Sequence, residues 1–177
     1  MSMSNAAPLI LLDSDVIRHF ISGGLLENLP AIYAGRFIIL DKVKKEICRS
    51  SSIRPIVELF IQNHNIHVMP FPTDMNIIME YAYLHREFGE GESACMAVAK
   101  HQNKFIASSN LKDIEKFCTK NCITYLTTMD ILDQGLKDGH FNKGQCDQFI
   151  FDVLAKGSKL PFGTMDEYHK SKLSKSA

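Results

Sequence analysis

The sequence predicts an α/β fold, a single-domain α/β/α sandwich around a central, mainly parallel sheet. Three observations carry that expectation. Short apolar runs have the length of buried strands, longer amphipathic stretches separate them, and acidic residues stand directly after several of the runs.

Leu9 to Leu12 opens the sheet, because an unbroken apolar run suits a strand covered on both faces. A helical pattern follows from Ser14 to Phe20. Phe37 to Leu40 is the second strand, and Asp41 caps a helix to Cys48 that places Val43 and Ile47 on one face. Ile56 to Asn63 reads as helix and Ile66 to Met69 as the third strand. Thr73 or Asp74 caps a helix from Met75 to Phe88 whose inner face carries Ile77, Ile78 and Tyr81. A helix from Glu92 to His101 leads into the fourth strand, Phe105 to Ala107, and a helix from Leu111 to Thr119 into the fifth, Ile123 to Leu126. Two helices close the pattern, Thr128 to Lys137 and, after a break at Gly139 and a cap at Asn142, Lys143 to Leu154. One domain is expected over residues 1–169. From Lys170 the chain turns polar and lysine-rich, which predicts a mobile tail over residues 170–177.

With 177 residues, 45% of them hydrophobic, the chain can bury one substantial core without a disulfide or structural metal. Its 20 basic and 20 acidic residues cancel, so no global field draws in a polyanion. Nucleic-acid contact must come from a local patch, and the basic stretch at Lys42, Lys44, Lys45, Arg49 and Arg54 is the candidate, with Lys42, Lys45 and Arg49 as phosphate contacts. A solvated helix face accounts for the same charges. The five cysteines are scattered without a CxxC pair, and the seven histidines show no HExxH spacing. Reduced thiols in a cytoplasmic protein are the expectation. MSMSNAAPLILLDSD lacks a basic leader, and no run is long enough to cross a bilayer, so no membrane partner is expected.

Parallel sheets bind their ligands beyond the carboxyl ends of the strands. Asp13 and Asp15 follow the first strand, Glu46 lies one turn into the helix after the second, and Glu92 opens the helix before the fourth. Carboxylates delivered from separate segments suit a hard divalent cation, which takes oxygen ligands and leaves positions for water and phosphate. Each acid also has a plain structural reading. Asp13 is a natural helix N-cap, Glu46 can pair with the neighbouring lysines, and Glu90 and Glu92 are favoured at a helix start by the macrodipole.

Taken in order, LILLDSDVI, IILDKVKKEI, GEGESACMAVAK and KFIASSNLKDI resemble the successive motifs of PIN-domain ribonucleases. The resemblance runs to about Leu136, and its specificity lies in the order and spacing of motifs that are short individually. Asp13 and Ser14 match the aspartate and small hydroxyl residue that end the first strand, with Asp15 in the polar position after them. Glu46 matches the second acid. Counting back from Ala99 puts the third at Glu92 rather than Glu90, although Glu90 remains within reach. The resemblance implies that Asp13, Glu46 and Glu92 hold Mg²⁺ or Mn²⁺ and that water activated by the metal hydrolyses RNA phosphodiester bonds, leaving a 5′ phosphate. For small bacterial members it also implies a toxin blocked by an antitoxin protein, and dimerisation is common.

The chain departs from the pattern after the fourth strand, where Ser108, Ser109 and Asn110 stand in place of the usual aspartate or pair of them. Asn110 is one substitute oxygen donor. Asp113, one helical turn on, is another and is counted among the metal ligands. Two other readings stay open. One is a PIN-like module that has lost catalysis with its fourth acid and binds RNA or protein. The other takes LILLDSDV as the nucleophile motif of a haloacid-dehalogenase-like phosphatase, which leaves Glu46 and Glu92 without a role.

Overall fold

The computed structural model describes residues 7–175, the side chains of Leu111, Asp113 and Lys175 excepted. Strands β1 (Ile10–Leu12), β2 (Phe37–Leu40), β3 (His67–Met69), β4 (Phe105–Ala107) and β5 (Tyr125–Leu126) form a sheet in the order β3-β2-β1-β4-β5. Every pairing is parallel, with Leu11 opposite Ile38 on one side and Ile106 on the other. Each strand falls inside an expected apolar run. β1 and β2 show no alternation because helices cover both faces, and their seven residues are buried throughout.

The helices are α1 (Ser14–Ser22), α2 (Asp41–Ile47), α3 (Arg54–Asn63), α4 (Met75–Leu84), α5 (Glu90–Gln102), α6 (Leu111–Lys120), α7 (Thr128–Lys137), α8 (Lys143–Ala155) and α9 (Met165–Lys175), with a short 3-10 helix at Leu26–Ala31. They flank the sheet as an α/β/α sandwich, α1 packing on α8 and α5 on α2, α4 and α6. α5 is buried almost all round from Gly91 to Ala99. Its run of small residues, Ala94, Cys95, Ala97 and Ala99, lets neighbouring backbones approach from several sides. No helix among the described residues is long and apolar enough to cross a membrane.

Three helix bounds are corrected. Asp41 is the first residue of α2 and not its cap; Leu40 takes the cap position with no side-chain bond, and the Asp41 charge sits in the first turn where the macrodipole favours it. α4 stops at Leu84 rather than Phe88. Glu87 and Phe88 both donate to the Leu84 carbonyl, tightening the chain into a turn that reaches Gly89, the extended cap of α5. α5 therefore begins at Glu90, before Glu92. Of the region expected as a mobile tail, residues 170–175 belong to α9, in which Met165 and Tyr168 are buried and which is tied to α7 by polar bonds; residues 176 and 177 lie outside the described residues.

Candidate active site

In the order β3-β2-β1-β4-β5 the chain leaves β1 towards β2 and later returns to the opposite side, so the carboxyl ends of β1 and β4 border a topological switch point. Asp13 stands there. Its backbone N–H donates to the Ala107 carbonyl (2.9 Å), and its side chain caps α1 by accepting from the Ser14 N–H (2.7 Å). Only 5% of the residue is exposed.

Three further carboxylates converge on it. Glu46 reaches over from α2, with Oε1 accepting from Ser14 Oγ (2.8 Å) and Oε2 from the Gly91 N–H at the start of α5 (2.8 Å). Asp15 turns towards the end of β4, where Oδ2 accepts from the Ser109 N–H (2.7 Å) and from Ser108 Oγ (3.3 Å). Glu92 Oε1 accepts from Asn110 Nδ2 (2.9 Å). Burial first, then the charge of Asp15, then those of Glu92 and Glu46, push the Asp13 carboxyl well above the ordinary carboxylate range, against the Ser14 N–H bond that pulls it down. Burial also raises Asp15, opposed by the donors at Ser109, Val16 and Ser108. Cys95, in the buried stretch of α5 below, has its thiol pushed up by burial and then by the same four carboxylates.

The chemistry of this donor set fits a hard divalent cation: oxygen ligands from three segments, with negative charge concentrated where water is scarce. As they stand the acids are engaged by hydrogen-bond donors, and among the described residues no three His, Cys, Asp or Glu side chains are grouped to hold one ion.

Of the residues singled out in the sequence, Asp13, Ser14, Asp15, Glu46, Glu92 and Asn110 come together. The Asp113 side chain lies outside the described residues. Glu90 turns away to Arg49 (2.7 Å), Lys42 and Lys45 (both 3.8 Å), so the basic stretch expected to contact phosphate is gathered around its own carboxylate. Lys42 also lies over the ring of Tyr81 (4.5 Å).

Ser108 and Ser109 stand where the family pattern has an acid. Their place in the fold is as donors. The Ser109 hydroxyl shares a hydrogen bond with Thr128 Oγ1 (2.5 Å), which shares another with His19 Nδ1 (2.9 Å), fixing the loop so that its N–H points at Asp15. Burial pulls His19 down to about 4, so this ring is neutral at physiological pH. A larger cavity, about 470 Å³, lies elsewhere, between β5, α7 and α9; its walls include Tyr125, Met129, Phe162 and Tyr168, and its Asp130 is already held by several donors. No protein-family profile and no curated protein matches this chain.

Proposed function

We propose that this protein is a metal-dependent endoribonuclease of the PIN type. The observation that carries the reading is a desolvated Asp13 at the switch point of a parallel sheet, with Asp15, Glu46 and Glu92 acting on it electrostatically. Asp13, Glu46 and Glu92 would hold Mg²⁺ or Mn²⁺, and Asp15 brings a carboxylate to the end of β4, where the PIN pattern has its own fourth acid. Once bound, the cation supplies Lewis acidity and neutralises charge that develops on the phosphate. The protein's own contribution is positioning. Ser14 and Gly91 orient Glu46, Asn110 orients Glu92, and the Ser108–Ser109 loop orients Asp15. The charged neighbours of Asp13 are carboxylates, a setting that favours cation binding over an aspartyl nucleophile working beside a lysine. An antitoxin protein covering this site in the cell, and a homodimer, belong to the same proposal.

The test is incubation of mixed structured and single-stranded RNA with the purified protein in Mn²⁺ or EDTA, alongside Glu92→Gln. Cleavage is expected in Mn²⁺, none in EDTA, and a loss of about a hundredfold or more in the variant, the scale seen when one electrostatic contact to a reacting centre is removed. Equal cleavage by Glu92→Gln, or cleavage in EDTA, sinks the reading. Tight RNA binding without metal or cleavage would instead support the binding-module alternative.

Gly91 offers a subtler probe. A Cβ there would lie 3.0 Å from Glu46 Oε2 and 3.2 Å from Val43 Cγ2. In Gly91→Ala the gain in helix propensity, up to about 1 kcal/mol, offsets overpacking of about 1–3 kcal/mol, so thermal stability should shift by only a few degrees. Glu46 must move off its N–H donor, and cleavage is expected to fall roughly tenfold or more. A large drop in melting temperature with activity retained would show that Gly91 serves helix packing alone.

A further inference from the structure

The two sides of the acid cluster differ in how their cations are used. On the α2 side Lys42, Lys45 and Arg49 share Glu90. On the α1 side a groove of about 310 Å³ starts at Asp15 and runs out between Arg18, Asn110 and the turn at Ser158 and Lys159. Among the described residues neither Arg18 nor Lys159 has a carboxylate within ion-pair distance. Arg18 is nonetheless half-buried, where a guanidinium ordinarily has a partner.

The turn that presents Lys159 is built into the end of α8. Gly157 takes the left-handed conformation (φ +85°) that a side chain would resist, the Ser158 N–H returns to the Val153 carbonyl (3.2 Å), and Lys156 Nζ donates to the Ser22 carbonyl at the end of α1 (2.7 Å). α1 also carries Arg18, so the same bonds hold both cations in one frame. His19 lines the groove as a neutral ring and adds a polar wall but no charge.

We propose that this groove binds an RNA backbone phosphate neighbouring the one placed at the acid cluster, with Arg18 and Lys159 as its cationic contacts and the Ser158 hydroxyl as a donor. The inference rests on the ribonuclease reading and names the side from which the strand enters. Asp15 forms the inner wall and marks where the phosphate subsite gives way to the acids. Guanidinium and ammonium groups that pair with no carboxylate among the described residues, at the mouth of an acidic site, give a polyanion a local attraction that the neutral chain as a whole does not.

Binding of a fluorescein-labelled single-stranded RNA is to be followed by anisotropy in Ca²⁺ over a salt series, with the RNA checked on a gel for integrity. Arg18→Gln/Lys159→Gln is expected to weaken binding about tenfold and to lower the slope of log K against log salt by about 0.7, the scale for one phosphate no longer neutralised. Arg18→Lys/Lys159→Arg should keep the slope, and Lys42→Gln/Lys45→Gln should stay within about twofold of the wild-type affinity. Unchanged affinity and slope in the Gln pair, with the wild type still binding, overturns the subsite and leaves the ribonuclease reading standing. No binding by the wild type at any salt overturns both.

Discussion

Asp13→Asn is expected to abolish RNA cleavage and, in the same preparation, to melt at a higher temperature than the wild type at neutral pH in EDTA. The two effects share one cause. Asp13 is buried beside three other carboxylates, and its carboxyl is held well above the ordinary range by burial first and by those charges after it. A folded-state value raised above the unfolded one means that the folded chain binds the proton more tightly. Well below the unfolded value, about 3.9, both states are protonated and the group contributes nothing. As pH rises through the folded value, folding increasingly carries the cost of a buried charge, which is complete above it. Asparagine keeps the Oδ1 acceptor for the Ser14 N–H and removes the charge. The stability gap between variant and wild type should therefore be widest at neutral pH and close as pH falls towards about 4. Mn²⁺ should reverse the order. A ligand at a hundred times its Kd adds about 2.7 kcal/mol to the state that binds it, roughly 5–11 °C for a chain of this size, and the variant should show little of that gain. Cleavage should fall by about a thousandfold. Wild-type cleavage in Asp13→Asn would remove it from the chemistry, and a lower melting temperature in EDTA would make its carboxylate a structural cap.

The strands and most helices were legible because burial writes itself into the sequence. An unbroken run such as FIIL requires cover on both faces, and Asn142 with Gln145 forms the capping box that starts α8 where expected. The acids at Asp13, Glu46 and Glu92 were legible as residues that follow strands or open helices. Their hydrogen-bond partners were not, because those depend on contacts between distant segments. The motif count favours Glu92 over Glu90, but what each faces depends on the packed helix; one faces α2's cations and the other Asn110 because they sit two residues apart, on different faces. Ser108 and Ser109 looked like vacancies for an acid when the pattern was read position by position. Asp15 fills that region from another strand end, with the serines as its donors. The usable signal was Asp15 itself, a second acid beside the motif aspartate. α9 escaped notice because MDEYHKSKLSK has no apolar stripe: Met165 and Tyr168 are buried, whereas Leu173 is 74% exposed.

Because α9 lacks that stripe, its attachment should depend on Asp130, and Asp130→Ala is expected to be the most destabilising of the substitutions considered. Asp130 Oδ2 accepts from the Thr127 N–H (2.9 Å) and Thr127 Oγ1 (2.6 Å), closing the capping box that starts α7. Oδ1 accepts from Tyr168 Oη (2.6 Å) and Lys172 Nζ (2.8 Å) on α9. The cap contributes about 0.5–2 kcal/mol, and the bond from the buried Tyr168 to a charged acceptor about 1.5–3. Their combined loss, about 2–5 kcal/mol, corresponds to roughly 4–20 °C in melting temperature. Burial alone would raise the Asp130 carboxyl, but hydrogen bonds from Lys172, Thr127 and Tyr168 outweigh it and hold the group below its ordinary value. The sign is opposite to that of Asp13: the charge-dependent part of this contribution is present above the unfolded carboxylate value and is lost as pH falls through the folded one, so the gap between the two proteins should narrow in strong acid. Neighbouring variants divide the effect. Lys172 is half exposed, and Lys172→Gln should cost no more than about 1 kcal/mol, whereas Tyr168→Phe should fall between it and Asp130→Ala. Equal losses for Lys172→Gln and Asp130→Ala would place the hold on α9 in the surface ion pair instead of in the cap and the tyrosine bond.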